Sequence, residues 1–348
     1  MKSALITGVT GQDGAYLAKF LIKKGYEVYG IYRRLSTPNF WRLQYLKVFD
    51  KINLIPADLT DEFSLLESIK VADPDEIYHL AAQSFVGTSF EQPTSTAHVT
   101  GIAVTSMLEA IRHYNPEIKF YQASSSEIYG EGHDEILNEE SPFKPSSPYA
   151  AAKLYGYWMT RIYREGYDMF TCNGILFNHE SPLRGLEFVT RKISNAVAKI
   201  SLGLENELRL GNLNARRDWG YAPDYIEAMY MMLQHDEPDD FVIATGETHT
   251  VKEFCEKAFD EGGLDWQEHV KVDKRFLRPV DVNFLCGDYS KAKERLGWKP
   301  RVKFDKLVKI MVREDLERWG KWLEGEKFPW DAPNYPDETK LITRSLRS

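Results

Sequence analysis

Tyr149-Ala150-Ala151-Ala152-Lys153 places a phenol and an ammonium four residues apart. Pro148 suits the first turn of a helix and Ser147 or Ser146 can cap it, so the spacing predicts a helix over 149–167. Side chains four apart share one helix face, so Tyr149 and Lys153 point the same way. A free phenol has a pKa of about 10 and is a poor base at neutral pH. A neighbouring cation favours the phenolate and lowers that value. Tyr149 would then serve as an acid/base at a carbinol. Taken alone, a Tyr and a Lys on a helix are more often surface residues. A second set of reactive groups stands in Ala123-Ser124-Ser125-Ser126-Glu127. It follows the stretch 119–122, which reads as a strand, and residues past a strand's C-terminal end face the active-site edge of an open α/β sheet. A serine-rich turn with a helix-capping Glu is an equally good reading of that loop alone.

The elements that must position these groups follow from the hydrophobic pattern. Ala4-Leu5-Ile6 is a short apolar run, expected as a buried parallel strand. It leads into Gly8-Val9-Thr10-Gly11-Gln12-Asp13-Gly14, and a helix is expected from about 15 to 24. Strand, glycine turn and helix together make a phosphate-binding unit, because glycines let the backbone approach a pyrophosphate and the helix N-terminus attracts its charge. The spacing is Gly-x-x-Gly-x-x-Gly rather than the usual Gly-x-Gly-x-x-Gly. A second strand over 27–31 ends in Tyr32-Arg33-Arg34, where an NAD site would carry an acid. Two guanidiniums there suit a 2′-phosphate, so the expected cofactor is NADP. Further strands are expected at 52–55, 77–80, 119–122 and 170–176. Asp58 and Leu59 follow the third strand, with Asp61 or Thr60 capping the next helix. Leu80, Ala81, Ala82 and Ser84 follow the fourth, where small residues let a cofactor pass close to the backbone. His79 reads as a packed strand residue, and a long helix is expected over 94–113.

This alternation predicts an α/β fold with a Rossmann-like doubly wound parallel sheet. Residues 1–176 would form the NADP-binding domain, with about 211–250 partly returning to it. Residues 177–326 would form a smaller, interleaved C-terminal α/β substrate domain, with helices over 188–202, 224–234, 251–259 and 306–322. The polar, Pro-rich stretch 327–348 is expected to run over the surface.

Bulk properties narrow the function. The chain has 348 residues, 43% of them hydrophobic, and a formal net charge of −8. No global basic field exists for nucleic acid. No apolar stretch approaches the ~20 residues of a membrane helix, and the N-terminal apolar run is too short for a signal peptide. Cys172, Cys255 and Cys286 match neither a disulfide framework nor a zinc site, which points to a reducing, cytoplasmic compartment and no metal.

The glycine motif, the 124–130 loop and Tyr149-x-x-x-Lys153 resemble the extended short-chain dehydrogenase/reductase family over nearly the whole chain. Within it the chain resembles the GDP-mannose 4,6-dehydratases. Three runs carry this: Phe177-Asn178-His179-Glu180-Ser181-Pro182-Leu183-Arg184-Gly185 on to Val189-Thr190-Arg191-Lys192; Gly211 to Gly220 with Arg217; and Arg278-Pro279-Val280-Asp281. The resemblance implies a GDP-sugar substrate. Lys192, Arg217 and Arg278 would hold its diphosphate, with Asn178, Ser84 and Val189 nearby and Asp281 on the nucleotide. It also implies that Gln12, Asp13 and His179 join the cofactor site. In the implied reaction Tyr149, helped by Lys153, takes the C4 hydroxyl proton, and the C4 hydride is later returned to C6. Glu127 removes the C5 proton, and Ser125 and Glu127 assist departure of the C6 hydroxyl as water.

Several positions depart from the family's pattern. Ser125 stands where the family typically has Thr, which keeps a hydroxyl. After Arg33-Arg34 the segment Leu35 to Leu43 differs, and in the family that stretch reaches a neighbouring subunit. A homodimer through the helices at 94–113 and 149–167 is expected, or a homotetramer. Leu183, Tyr221 and Pro223 replace usual residues near the sugar-nucleotide side, which leaves room for a GDP-manno-heptose. Competing readings are a nucleotide-sugar epimerase or reductase on the same scaffold and a non-catalytic NADP-sensing module. The intact Tyr/Lys/Ser/Glu set argues against the last.

Overall fold

The computed structural model describes residues 1–131, 135–276 and 282–334. The first half alternates strand and helix: β1 (Ser3–Thr7), α1 (Gln12–Lys23), β2 (Glu27–Tyr32), α2 (Trp41–Tyr45), β3 (Asn53–Pro56), α3 (Glu62–Ala72), β4 (Glu76–His79), α4 (Val86–Glu91), α5 (Pro93–Thr96), α6 (Ala103–Tyr114), β5 (Lys119–Ser125), α7 (Pro148–Tyr167) and β6 (Thr171–Leu176). The second half is more broken: β7 (Asn178–Glu180), α8 (Val189–Ser201), β8 (Leu208–Leu210), β9 (Arg216–Arg217), β10 (Trp219–Tyr221), α9 (Ala222–Gln234) and β11 (Phe241–Ile243). It continues with β12 (His249–Thr250), α10 (Val251–Glu261), α11 (Trp266–His269), β13 (Val270–Val272), β14 (Phe284–Leu285), α12 (Ser290–Leu296) and α13 (Phe304–Leu323).

Seven strands form one sheet in the order β11-β6-β5-β4-β1-β2-β3, every neighbour pair parallel. The order reverses beside β1, the topological switch point at which a doubly wound sheet binds its ligand. Strand alternation builds two layers. Ile6 and Tyr121 pack with Leu17 of α1 and Met229 of α9 on one face. Leu5 and Phe120 pack with Leu65 of α3 and Leu108 of α6 on the other. A second core joins α8, α10 and α13 around Trp219. No helix of the described residues is long and apolar enough to cross a membrane.

Local rules explain the caps: Asp61 accepts from the Phe63 and Ser64 amides at the start of α3, and Ser147 caps α7 ahead of Pro148. The structure departs from the sequence pattern in three places. The helix expected over 94–113 is interrupted by a π-helical turn at Ala97–Ile102. There Gly101 passes close to α7, where a Cβ on it would lie 3.3 Å from the Ala152 carbonyl oxygen. The short helix α2 has no period long enough to announce it. The segment after Lys327 does not run over the surface throughout, since Trp330, Asp331 and Ala332 are buried. Trp330 packs edge-on against Trp319 of α13 with ring centroids 4.9 Å apart. Burial of the large ring offsets part of the entropy of ordering this segment.

Candidate active site

The glycine loop is built by lack of room. Gly8 has φ +70°, and a Cβ on it would come within 2.9 Å of Ala81 Cα. A Cβ on Gly14 would lie 2.3 Å from the Gly8 carbonyl oxygen. Helix α1 therefore starts hard against the end of β1. Its N-cap is Gly11, with no side-chain cap, so its first N–H groups and positive dipole end are open to an anion. Thr7 Oγ1 takes the amides of Leu80 and Ala81, both at 3.1 Å, and lies 3.1 Å from His79 Nδ1. The Thr7 proton must then go to that nitrogen. His79 is thus a neutral packed residue, and burial lowers its pKa to about 3.

One cavity of about 930 Å³ runs from this loop to α8. Its wall includes Gly8, Gly11, Gln12, Asp13, Gly14, Arg33, Asp58, Leu59, Leu80, Ala81, Ala82 and Ser84. It also includes Ser125, Glu127, Tyr149, Lys153, Asn178, His179, Val189, Lys192 and Arg217. Arg34 is exposed and outside the wall. Arg278 and Asp281 lie outside the described residues. Ser124, which is 3% exposed, also lines the cavity, and its hydroxyl has no hydrogen-bond partner among the described residues. Such a buried polar atom is poised for a ligand.

Charge is arranged around Tyr149 and Lys153, which are 8% and 4% exposed. Lys153 donates to the Ala123 carbonyl at 2.7 Å and stands 5.9 Å from the Tyr149 ring centroid. Burial lowers the Lys153 pKa to about 8, with Asp13 opposing it. Burial pushes the Tyr149 phenol up to about 12; the Ser125 hydroxyl and the Arg184 guanidinium pull it down, and the Glu127 and Asp13 charges push with burial. The expected acidification of Tyr149 by Lys153 is therefore not met here, because desolvation of a buried phenolate outweighs it and Lys153 turns to a carbonyl. Tyr149 is a protonated phenol at neutral pH.

Asp13 and His179 form a second charged pair, with Asp13 Oδ2 2.8 Å from His179 Nε2. His179 Nδ1 lies 2.8 Å from the Phe177 carbonyl. Both ring nitrogens face acceptors, so both donate, which requires an imidazolium. Burial lowers the His179 pKa, but the Asp13 charge and hydrogen bond together with the Phe177 carbonyl outweigh it, and the net shift is upward. Burial raises Asp13, yet the His179 charge and hydrogen bond hold it at about 2. On the opposite wall Lys192 Nζ sits 3.7 Å over the Phe276 ring. Arg217 is nine-tenths buried on β9, which β12 and β14 flank.

Wall residues that the sequence pattern did not single out include Arg184 and Glu187. Arg184 Nε lies 3.3 Å from Glu180 Oε2, and its guanidinium covers the Phe188 ring at 3.6 Å. Arg184 belongs to the run at 177–185, but no helical or turn period links it to Tyr149. Three departures from the family pattern, Leu183, Tyr221 and Pro223, are not part of the wall; Leu183 is buried instead.

Comparison with known proteins gives consistent results. A family model for GDP-mannose 4,6 dehydratase matches residues 5–311. GDP-mannose 4,6 dehydratase 1 of Arabidopsis thaliana is 53% identical over 327 residues, 91% of this chain and 90% of that protein. The Homo sapiens GDP-mannose 4,6 dehydratase is 50% identical over 339 residues, 90% of this chain and 91% of that protein. Among solved structures, RMD of Pseudomonas aeruginosa complexed with NADPH superposes with a TM-score of 0.76 at 22% identity, covering 91% of this chain and all of that one.

Proposed function

The chain belongs to the GDP-mannose 4,6-dehydratase family, and from that premise we propose that it converts GDP-mannose to GDP-4-keto-6-deoxy-mannose. The observation that carries this reading is the convergence of Ser125, Glu127, Tyr149 and Lys153 on one cavity with Asn178, Lys192 and Arg217. The cavity fits a nicotinamide dinucleotide: the glycine loop leaves backbone room for a diphosphate, the uncapped start of α1 favours its charge, and Ser124 offers an unused hydroxyl. The bound cofactor would take a hydride from C4 and return it to C6.

The chain's own groups do the rest. Gln12, Asp13 and the three loop glycines line the diphosphate side. Leu80, Ala81 and Ala82 border the dinucleotide, with Asp58 and Leu59 toward its adenosine end. Arg33 and Arg34 support NADP over NAD, since guanidiniums pair with a 2′-phosphate. Lys153 and the His179 imidazolium bring positive charge to the cofactor side. Lys192 and Arg217 take the GDP diphosphate, with Asn178, Ser84 and Val189 beside it; Arg278 would join them on the diphosphate and Asp281 would hold the nucleotide.

Tyr149 must first ionise: its phenolate takes the C4 hydroxyl proton as hydride leaves, and the Ser125 hydrogen bond eases the charge on that oxygen. The resulting 4-ketone acidifies C5–H. Glu127 takes that proton and, with Ser125, delivers one to the departing C6 hydroxyl, so water leaves. A 4-epimerase needs no base at C5.

A homodimer is the proposed assembly. Tyr155, Trp158, Ile162 and Tyr167 of α7 are 43–51% exposed, as is Ile102 beside α6 at 44%, and apolar area of that kind marks interfaces. The three buried free cysteines suit a cytoplasmic site.

The test is to incubate the purified protein with GDP-mannose and NADP and follow the sugar nucleotide by mass spectrometry in deuterium oxide. Loss of one water, one deuterium at C5 and no net NADPH formed are expected. An unchanged sugar nucleotide would defeat the assignment.

A further inference from the structure

Three arginines from distant parts of the chain hold three consecutive carbonyls of the 182–184 stretch, of which Arg184 lines the cavity. Arg318 of α13 donates to Pro182 O at 2.6 Å. Arg42 of α2 donates through Nε to Leu183 O at 2.7 Å. Arg191 of α8 donates to Arg184 O at 3.0 Å. Backbone amides on the same stretch are held from within, Leu183 N by Ser181 Oγ and Arg184 N by Ser181 O. Ser181 Oγ in turn donates to Gln12 at the start of α1. A loop segment with this many fixed groups is a rigid mount.

The guanidiniums are themselves anchored. Asp315, fully buried, accepts from Arg191 Nε at 2.9 Å and lies 2.8 Å from its Nη2 and 3.5 Å from Arg318. Asp331, from the segment that folds back after α13, lies 3.5 Å from Arg191 Nη1, and its charge also offsets the desolvation of Arg42. Tyr45 and Trp330 lie beside Arg318, their ring centroids 4.3 and 6.0 Å from it. Arg42 also reaches Thr10 O in the glycine loop at 3.4 Å. One cluster therefore touches the cofactor loop, the substrate wall and the chain's last described segment.

We propose that Arg42, Arg191 and Arg318 are positioning residues for this active site, a clamp on Pro182, Leu183 and Arg184 that fixes the Arg184 guanidinium in the cavity, and that Trp330 and Asp331 close the clamp from outside. The proposal rests on the dehydratase reading for its catalytic consequence, though not for its geometry. Arg184 lowers the pKa of Tyr149 against burial, so a mobile Arg184 leaves the phenol harder to ionise. Loosening the clamp should slow chemistry more than it weakens substrate binding.

Two variants test this. Asp331→Asn removes a charge outside the cavity, and Arg42→Lys keeps charge and stem but cannot span two carbonyls. Deuterium uptake of the peptide 182–188 should rise by about tenfold in rate, kcat for GDP-mannose should fall by about tenfold, and KM should change by less than about threefold. The pH profile of kcat should move to higher pH in both. If Asp331→Asn fails to fold, Arg42→Lys in the five-residue helix α2 decides the matter. Unchanged uptake, or a lowered melting temperature with kcat and its pH profile intact, would overturn the clamp. A wild type that leaves GDP-mannose untouched would defeat the functional reading and not the clamp, which the exchange rates then decide.

Discussion

Replacing Lys153 by Met should make the protein more stable and inactive. The ammonium is buried, and burial lowers its pKa from 10.5 to about 8. At about 1.4 kcal/mol per pH unit, holding it charged in the folded state at pH 7 costs about 3 kcal/mol relative to the neutral amine. Methionine has similar length and no charge to desolvate. It forfeits the bond to Ala123 O, worth about 1 kcal/mol for a neutral donor. That carbonyl keeps a second donor, Gln122 Nε2 at 3.2 Å, so no acceptor is orphaned. The net gain at pH 7 is about 2 kcal/mol. Its pH dependence identifies the cause. Lys153 has a folded-state pKa below its unfolded one, so between about 8 and 10.5 the unfolded chain binds the extra proton and wild-type stability rises with pH. Below pH 8 the full penalty is present. Urea unfolding of both proteins without cofactor, followed by tryptophan fluorescence, should show the variant ahead at pH 7. Between pH 8 and 9.5 its lead should shrink by about 2 kcal/mol. A variant less stable than wild type at pH 7, or a lead that does not change with pH, would refute the reasoning. GDP-mannose turnover should be lost in either case.

Other perturbations address single links. Gly14→Ala puts a Cβ 2.3 Å from the Gly8 carbonyl oxygen, so α1 must shift; stability should drop by about 1–3 kcal/mol and NADPH fluorescence titration should show weaker binding. Glu127→Gln should still oxidise C4 but accumulate NADPH and release no water; wild-type turnover would remove Glu127 from the base role. Arg33→Ala with Arg34→Ala should weaken NADP by at least about tenfold while NAD changes little, and equal loss would end the 2′-phosphate argument. Trp158→Glu, on an exposed stretch of α7, should yield a monomer by light scattering, whereas a retained dimer would place the interface elsewhere.

Much of the fold was legible because its causes are local. The short apolar run Ala4-Leu5-Ile6, closed by Thr7-Gly8, reads as a buried strand, and Asp61, Ser147 and Pro148 mark helix starts through their own backbone chemistry. Tyr149 and Lys153 share a face because an α-helix repeats every 3.6 residues. The glycine loop declared itself by spacing and by the strand and helix on either side. What the sequence alone determined, then, is the parallel sheet, the cofactor loop and the pair of groups that could move a proton.

Tertiary structure decided the electrostatics and the mounts. Whether Tyr149 is easier or harder to ionise depends on how much water the whole fold removes from it, and burial settled that upward against the pattern-based expectation. His179 became an imidazolium because folding set Asp13 beside it, 166 residues earlier in the chain. Arg42, Arg191 and Arg318 read as three unrelated cations until α2, α8 and α13 converge on Pro182, Leu183 and Arg184. Trp330 and Asp331 sit in a polar, Pro-rich stretch that composition assigns to the surface, yet the Trp319 ring and the Arg191 guanidinium draw them in. Period and capping operate over a few residues, whereas desolvation and long-range pairing are properties of the assembled fold, and no window of the sequence contains them.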